Sequence, residues 1–357
     1  MTILTKKNDP HKFTDRKKQS LKISEILGRS GYDKLAYDMQ LCGTKLQFAE
    51  CREHKIKKLI FANFCNRRIC PMCQWRRSLK LRQQLKQVAC TALKREPRSH
   101  FLMLTLTVKN VPGQELSETI TSMYSAWQKL RQRKIVKKVL KGYFLSLEVT
   151  YNKERDDFHP HFHILLWTPP SYFKNNYIKR DTWLKMWQES TGDHSITQCD
   201  IRRIYDKRRN KESQKNASLE SKKKAIESAT FEVSKYLTKY KNIMSNHLLT
   251  EKQGEVLVYL LEGLKNRKMT VWGLGLGEIR NELNLEDIES KDANLTDVEG
   301  IEDCTCPICQ ADLELFTYHW MYFYYQSDDV SETTKRARLL RREKQESKGI
   351  EYALMNK

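Results

Sequence analysis

The chain has 357 residues, ten of them cysteine, and a formal net charge of +21, with Lys and Arg spread over most of its length. That length allows one large core or two to three smaller units, and a charge of that sign points to a polyanionic partner, nucleic acid foremost, rather than to a merely soluble basic protein. No apolar run approaches the roughly 18 residues of a membrane span, and the polar stretch Met1 to Lys18 has no signal-peptide core. The expected setting is the cytosol, without a membrane partner, where cysteines act as metal ligands or core residues rather than as disulfides.

Residues 1 to about 35 read as a basic, partly disordered lead followed by a short helix, and the core begins near Met39. Residues 41 to 75 carry five of the ten cysteines. Leu59 to Phe64 reads as a strand leading into Cys65. Ser78 to Leu93 has helical spacing, with Leu79, Leu81, Leu85, Val88, Ala89 and Ala92 on one apolar side. Phe101 to Val108 alternates as a strand: Leu102, Leu104, Leu106 and Val108 face one way, Thr105 and Thr107 the other. Asn110-Val111-Pro112-Gly113 ends it with turn chemistry.

Leu116 to Val139 is a basic helical segment. Tyr143 to Thr150 is another strand, with Leu145, Leu147 and Val149 on one face and Ser146, Glu148 and Thr150 on the other. After a polar turn comes His159-Pro160-His161-Phe162-His163, followed by the apolar run Ile164 to Trp167. Side chains alternate along a strand, so His161 and His163 point the same way. Two imidazoles on one strand face, in a chain holding only nine His, favour a metal site over a histidine-rich strand end. The two strands are close enough in sequence to form an antiparallel hairpin. Pairing 143–150 with 161–168 lets Glu148 lie beside both imidazoles. Two His and one carboxylate leave open positions on an ion, as catalysis requires, and tolerate Mn²⁺, Mg²⁺ or Zn²⁺.

Residues 170 to 192 read as a helix with Trp183 and Trp187 one turn apart; these and Trp127 fit a core better than a base-stacking platform. A strand at 197–204 precedes a basic stretch, Arg202 to Lys224, suited to phosphates or to a solvated loop. Lys223 to Tyr240 is helical by its apolar spacing. On that helix Glu232 and Tyr236 are one turn apart, and Lys239 lies close to Tyr236 on the next. A phenol with an ordinary pKa near 10 is a weak nucleophile at neutral pH. A nearby cation helps its attack, and a carboxylate one turn away can act as a base toward water. Taken alone, this pattern is an ordinary amphipathic helix. Residues 278 to 303, with about ten acids against two bases, read as a linker or acidic spacer. An aromatic cluster, Phe316 to Tyr325, precedes a basic tail, Lys335 to Lys344.

Cys65-x4-Cys70-x2-Cys73 supplies three thiolates at tight spacing, and tetrahedral Zn²⁺ needs four ligands. Cys42, Cys51 and His54 compete for the fourth place. Cys304-x-Cys306-x2-Cys309 with His319 is a weaker candidate for a second zinc. Arg76, Arg77, Lys80 and Arg82 put positive charge beside the first cluster.

Taken together, these motifs resemble the rolling-circle replication initiators (Rep) of small plasmids from Gram-positive bacteria. These belong to the HUH endonuclease superfamily, in the subgroup where a glutamate replaces a second tyrosine. Three segments in order carry the resemblance: Phe101 to Asn110, His159 to His163, and Glu232-x-x-x-Tyr236-x-x-Lys239. The Cys70-Pro-Met-Cys-Gln-Trp-Arg-Arg77 run and Tyr172-Phe-Lys-Asn175 fit the same family, and the likeness covers roughly residues 40 to 285.

The resemblance implies His161 and His163 as ligands of a catalytic Mn²⁺ or Mg²⁺, with Glu148 where many HUH enzymes supply a third. It implies Tyr236 as nucleophile, Lys239 as part of its signature, Glu232 as termination base and Tyr240 as a bystander. Cys42 becomes the favoured partner of Cys65, Cys70 and Cys73 on a structural Zn²⁺, because relatives carry a cysteine at about that place. His159 stays outside the ligand set.

The expected fold is α+β, an HUH-type antiparallel sheet flanked by helices and preceded by a small zinc-binding module. The division would be a basic lead at 1–38, a Cys-rich module with a basic helix at 39–95, the catalytic domain at 96–285, and an acidic linker with a C-terminal segment of open role at 286–357. The implied partners are plasmid double-strand origin DNA, host helicase and the replication machinery, in the bacterial cytoplasm. Two other readings stand beside it: an HUH relaxase or transposase, disfavoured because relaxases usually place the tyrosine before the HUH motif, and a non-catalytic zinc-stabilised DNA-binding regulator.

Overall fold

The computed structural model describes residues 13–51, 53–54, 56–204, 219–233, 250–298, 305–306, 308–321 and 324–327. In chain order the elements are helices α1 (Phe13–Arg29) and α2 (Asp33–Leu41), strands β1 (Lys45–Glu50) and β2 (Lys57–Ala62), helix α3 (Pro71–Arg95) and strand β3 (His100–Thr107). Then come α4 (Leu116–Gln132), the short α5 (Lys134–Lys137), β4 (Gly142–Asn152), β5 (Asp157–Thr168), α6 (Arg180–Thr191) and β6 (Cys199–Arg203). The remainder is α7 (Leu219–Val233), α8 (Thr250–Gly263), β7 (Thr270–Leu274), α9 (Gly275–Glu282), β8 (Glu314–Met321) and β9 (Tyr324–Ser327). The expected α+β class with antiparallel sheets flanked by helices is what the chain forms. The chain divides into two compact units, one built from residues 1–76 with 294–357 and the other from 77–293.

The first unit is built on a four-stranded antiparallel sheet in the order β2-β1-β8-β9. The N-terminal segment departs from the expected disordered lead and short helix. From Phe13 on it is a 17-residue helix followed by α2. The reason is burial on one side: Phe13, Ile23, Ile26 and Leu27 are at most 3% exposed, and Phe13 packs edge-on against Phe48 and Trp75. The C-terminal aromatic cluster is strand, and β8 pairs with β1 from Lys45↔His319 to Glu50↔Glu314. The residues expected to form a separate end of the chain therefore complete the sheet of its beginning. The basic tail Lys335 to Lys344 lies outside the described residues.

The second unit carries a five-stranded antiparallel sheet in the order β6-β3-β5-β4-β7, with β5 at its centre. One face is apolar: Leu145, Leu147, Phe162 and Ile164 are fully buried, with Phe162 against Tyr124 of α4 and Trp127 against Tyr143. Trp183 and Trp187 are buried as core, and the Trp187 indole donates to the Thr107 carbonyl at 2.7 Å.

The helix expected from residue 170 begins only at Arg180. Pro169 and Pro170 disfavour helical geometry before them, and the Ser171 carbonyl accepts from the Lys174 and Asn175 amides, holding that stretch in a turn. Gly192, at φ 76, ends α6 in the left-handed region. The acidic stretch is no free spacer either. Within this unit Arg77 donates to the Ile288 carbonyl at 2.9 Å, Gln84 to the Glu286 carbonyl at 2.9 Å, and Lys80 pairs with Glu286. The Glu289 carboxylate accepts from the Met269 and Thr270 amides at 2.9 and 2.7 Å. Glu286 and Glu289 are satisfied by the basic group and the backbone amides they lie against, so residues 283–293 form a strap on the sheet and α3.

Candidate active site and metal centres

The hairpin β4–β5 positions the histidines. Its register sets Glu148 opposite His161, Ser146 opposite His163 and Thr150 opposite His159. On the other side of β5, Thr107 faces His161 and Thr105 faces His163. Residues directly opposite in an antiparallel pair share a face, so a polar patch forms over three strands, backed by the apolar face of the same sheet. The patch exists because β4 and β5 alternate with the same period and meet in phase.

At its centre the Glu148 Oε2 lies 3.5 Å from His161 Nε2 and 3.2 Å from His163 Nε2. The three ligand atoms fall within 4.8 Å of one another. A first-row ion about 2.1 Å from each donor needs donor separations of about 3.4 Å, so this set fits a divalent cation. Both rings are already oriented. The His161 Nδ1 sits 3.2 Å from the His159 carbonyl, and the His163 Nδ1 sits 3.3 Å from the Thr105 hydroxyl. The carbonyl can only accept, which fixes the His161 tautomer that leaves Nε2 for a metal, and the Thr105 hydroxyl orients the His163 ring. Burial would raise the Glu148 carboxyl, but its contacts with His161 and His163 hold it well below the usual carboxylate range. It is therefore a buried anion ready for a cation.

His159 shares the face but turns to another partner. Its Nδ1 meets Asn110 Oδ1 at 2.9 Å, and Asn110 in turn donates to Asp157 at 2.7 Å. Burial first, then the neighbouring His161, lowers the His159 pKa. Beside it opens a polar groove of about 890 Å³, lined among others by Thr107, Lys109, Asn110, Lys153, Arg155 and His159. Asn110 read in the sequence only as a strand-ending turn residue; no spacing rule connects it to a histidine 49 positions later.

Of the helix residues, Glu232 lies in the last described turn of α7, which packs against β5. Tyr236, Lys239 and Tyr240 lie outside the described residues, as does most of the basic stretch 202–224.

Cys42, Cys65, Cys70 and Cys73 converge. Cys42 follows α2, Cys65 follows β2, Cys70 immediately precedes α3 and Cys73 lies in its first turn. Their sulfurs are separated by 3.5 Å (Cys42 to Cys73), 3.7 Å (Cys65 to Cys73) and 3.6 Å (Cys70 to Cys42). Tetrahedral Zn²⁺ with about 2.3 Å bonds needs about 3.8 Å between sulfurs, so the cluster can hold a metal such as zinc. Lys17 is fully buried beside it and donates to the carbonyls of Gln40 and Cys42 at 2.5 and 2.7 Å. Burial lowers the Lys17 pKa while the four cysteines push it back up. A buried ammonium is costly unless an anion faces it; four thiolates around one Zn²⁺ carry a net negative charge that does so. Cys51 and His54, the competing candidates, lie elsewhere, with Cys306 and Cys309. His319 sits in β8, and Cys304 lies outside the described residues.

A family model described as "Replication protein" matches residues 56–321. "Protein rep" of Streptococcus pneumoniae serotype 2 (strain D39 / NCTC 7466) is 34% identical over 301 residues, 83% of this chain and 87% of that protein. "Protein rep" of Bacillus amyloliquefaciens is 36% identical over 286 residues, 79% of this chain and 82% of that protein. A "Replication protein" of Staphylococcus aureus is 32% identical over 217 residues, 60% of this chain and 86% of that protein. No solved structure matches the chain. The chain belongs to the replication protein family.

Proposed function

We propose that this protein initiates rolling-circle replication of a plasmid by nicking and joining single-stranded origin DNA as an HUH endonuclease. The observation that carries this is the Glu148/His161/His163 set on the paired strands β4 and β5 of an antiparallel sheet, in a basic chain of a replication family.

His161 and His163 would hold a catalytic ion through Nε2, with Glu148 as third ligand. When bound, Mn²⁺ or Mg²⁺ supplies polarisation of the scissile phosphate and relief of its charge. The groove beside His159, with Lys109, Lys153 and Arg155, offers cations to the flanking phosphates. Tyr236 is the nucleophile. Its oxygen bonds to phosphorus as the P–O3′ bond breaks, and the phenolic proton ends on the departing oxygen. The products are a 5′-phosphotyrosine and a free 3′-OH that primes leading-strand synthesis. One phosphodiester replaces another, so no nucleotide cofactor is consumed. Lys239, three residues on in the sequence, favours the phenolate. After one round Glu232, rather than a second tyrosine, ends the cycle: it takes a proton from water, whose oxygen bonds to phosphorus at the regenerated site as the P–O3′ bond breaks, and the freed 3′-OH attacks the phosphotyrosine and releases Tyr236. Zinc at Cys42, Cys65, Cys70 and Cys73 is structural. The host helicase and replication machinery act on the opened origin.

The test is to incubate the protein with single-stranded origin DNA and Mn²⁺ and to look for a covalent adduct. The adduct should form with wild type and vanish in Tyr236→Phe. Its persistence in that variant would overturn the nucleophile, and no adduct with wild type would favour a non-catalytic DNA-binding regulator. Glu232→Ala should still nick but release poorly after one round; normal single-round release would remove Glu232 from the mechanism.

A further inference from the structure

We propose a second structural zinc site, formed by Cys51, His54, Cys306 and Cys309, that clamps the turn between β1 and β2 to the segment leading into β8. The four residues come from the two distant parts of the first unit, and their ligand atoms converge within 4.8 Å. Cys51 Sγ lies 3.5 Å from His54 Nδ1 and 3.9 Å from Cys309 Sγ, and Cys306 Sγ lies 3.6 Å from His54 Nδ1. Bonds of about 2.3 Å to sulfur and 2.0 Å to nitrogen on a tetrahedral ion need about 3.8 Å between sulfurs and about 3.5 Å from sulfur to nitrogen. A disulfide would need sulfurs about 2.05 Å apart.

Each half is a compact turn of the spacing Cys-x2-ligand. In the first, the Cys51 amide donates to the Ile56 carbonyl at 2.9 Å and the His54 amide points at Cys51 Sγ at 3.5 Å. In the second, the Cys306 amide donates to the Ala311 carbonyl at 2.7 Å and the Gln310 amide to the Cys306 carbonyl at 2.9 Å. Gln310 takes a left-handed φ of 59, which closes the turn. Amides aimed at sulfur stabilise thiolate. Three thiolates and one imidazole suit Zn²⁺ rather than Mg²⁺ or Ca²⁺.

The clamp also has something to hold. The β1–β8 pairing ends with Glu50 directly opposite Glu314, and like charges so placed destabilise a sheet. Lys57 and the Tyr318 hydroxyl reach Glu50 at 2.8 and 3.1 Å. Cys51 is the next residue, so an ion bound there secures the strand ends at their least favourable pair.

Metal analysis of the full-length protein decides the matter. Cys309→Ser and Cys306→Ser should each hold one zinc ion fewer than wild type, and His54→Cys, which keeps four donors, should hold the wild-type number. Zinc content unchanged in both serine variants overturns the site, as does a Cys51–Cys309 disulfide found by thiol mapping of protein purified under reducing conditions. Should the serine variants not fold, X-ray absorption of the wild-type zinc protein still decides. Seven sulfurs to one nitrogen over two ions supports the site, and sulfur-only coordination overturns it.

Discussion

Thr105 illustrates how much of the site lies one residue behind the proposed ligands. Its hydroxyl meets the Nδ1 of His163 at 3.3 Å, and partners of this kind tune metal affinity by about 10–100-fold. Thr105→Val keeps the shape and loses that oxygen. It should raise the Mn²⁺ concentration needed for half-maximal adduct formation by about tenfold, with little change in stability; an unchanged Mn²⁺ requirement would remove Thr105 from the site. His161→Ala should abolish the adduct at any Mn²⁺ concentration while the protein still binds DNA, measured by gel shift.

At the other end of β3, burial, then Arg203 and Lys222, depress His100 from its ordinary value to about 4. A depressed histidine is neutral in the folded chain where the unfolded chain already binds a proton. Its contribution is complete above about pH 6.5 and is lost as pH falls toward 4. Urea midpoints should therefore decline over that window, and His100→Gln should flatten the decline. The shared face of His161 and His163 was legible from alternation alone, and so was a place for Glu148 on the partner strand. The Thr105 and Asn110 contacts were not, because they depend on register and on a loop that no period predicts.

The β4–β5 hairpin is the element on which site and core depend together. Leu147, fully buried, lies on the opposite face from Glu148, so one strand carries both roles. Leu147→Ala should cost about 2–5 kcal/mol by denaturant unfolding, and its loss of nicking should follow the loss of folded protein. Gly142, at the start of β4, has no room for a side chain: a Cβ there would stand 2.6 Å from the Leu276 amide nitrogen and 2.9 Å from the Leu276 side chain. The backbone cannot yield cheaply, so Gly142→Ala should destabilise by about 1–3 kcal/mol and loosen β7 and α9, seen as faster amide exchange there. Strands whose residues alternate cleanly, β3, β4 and β5, were readable in the sequence. The late start of α6 and the strap at 283–293 were not. The first is set by turn hydrogen bonds around Ser171, and the second by Arg77 and Gln84, about 200 residues earlier.

For the whole molecule, the +21 charge makes a firm statement about binding. If the protein neutralises roughly 6–10 phosphates, affinity for single-stranded DNA should fall by orders of magnitude between about 50 and 200 mM salt. A salt-independent affinity would contradict phosphate-dominated recognition. No helix among the described residues is long and apolar enough to cross a membrane. The division into units was the least legible feature of the sequence. Composition marked the acidic stretch as a boundary, but strand pairing between residues 45–50 and 314–321 joins the two ends across it.

That pairing also orders events at the ribosome. Residues 77–293 leave the ribosome before β8 does and can close their sheet first. Until then β1 has only β2 beside it, its other edge is open, and Cys51 waits for a partner 258 positions away. The nascent chain thus makes its second unit first and its first-emerging sheet last. In a chain stalled so that residue 293 but not residue 314 has left the exit tunnel, strands β3 to β7 should resist protease while the N-terminal segment stays sensitive.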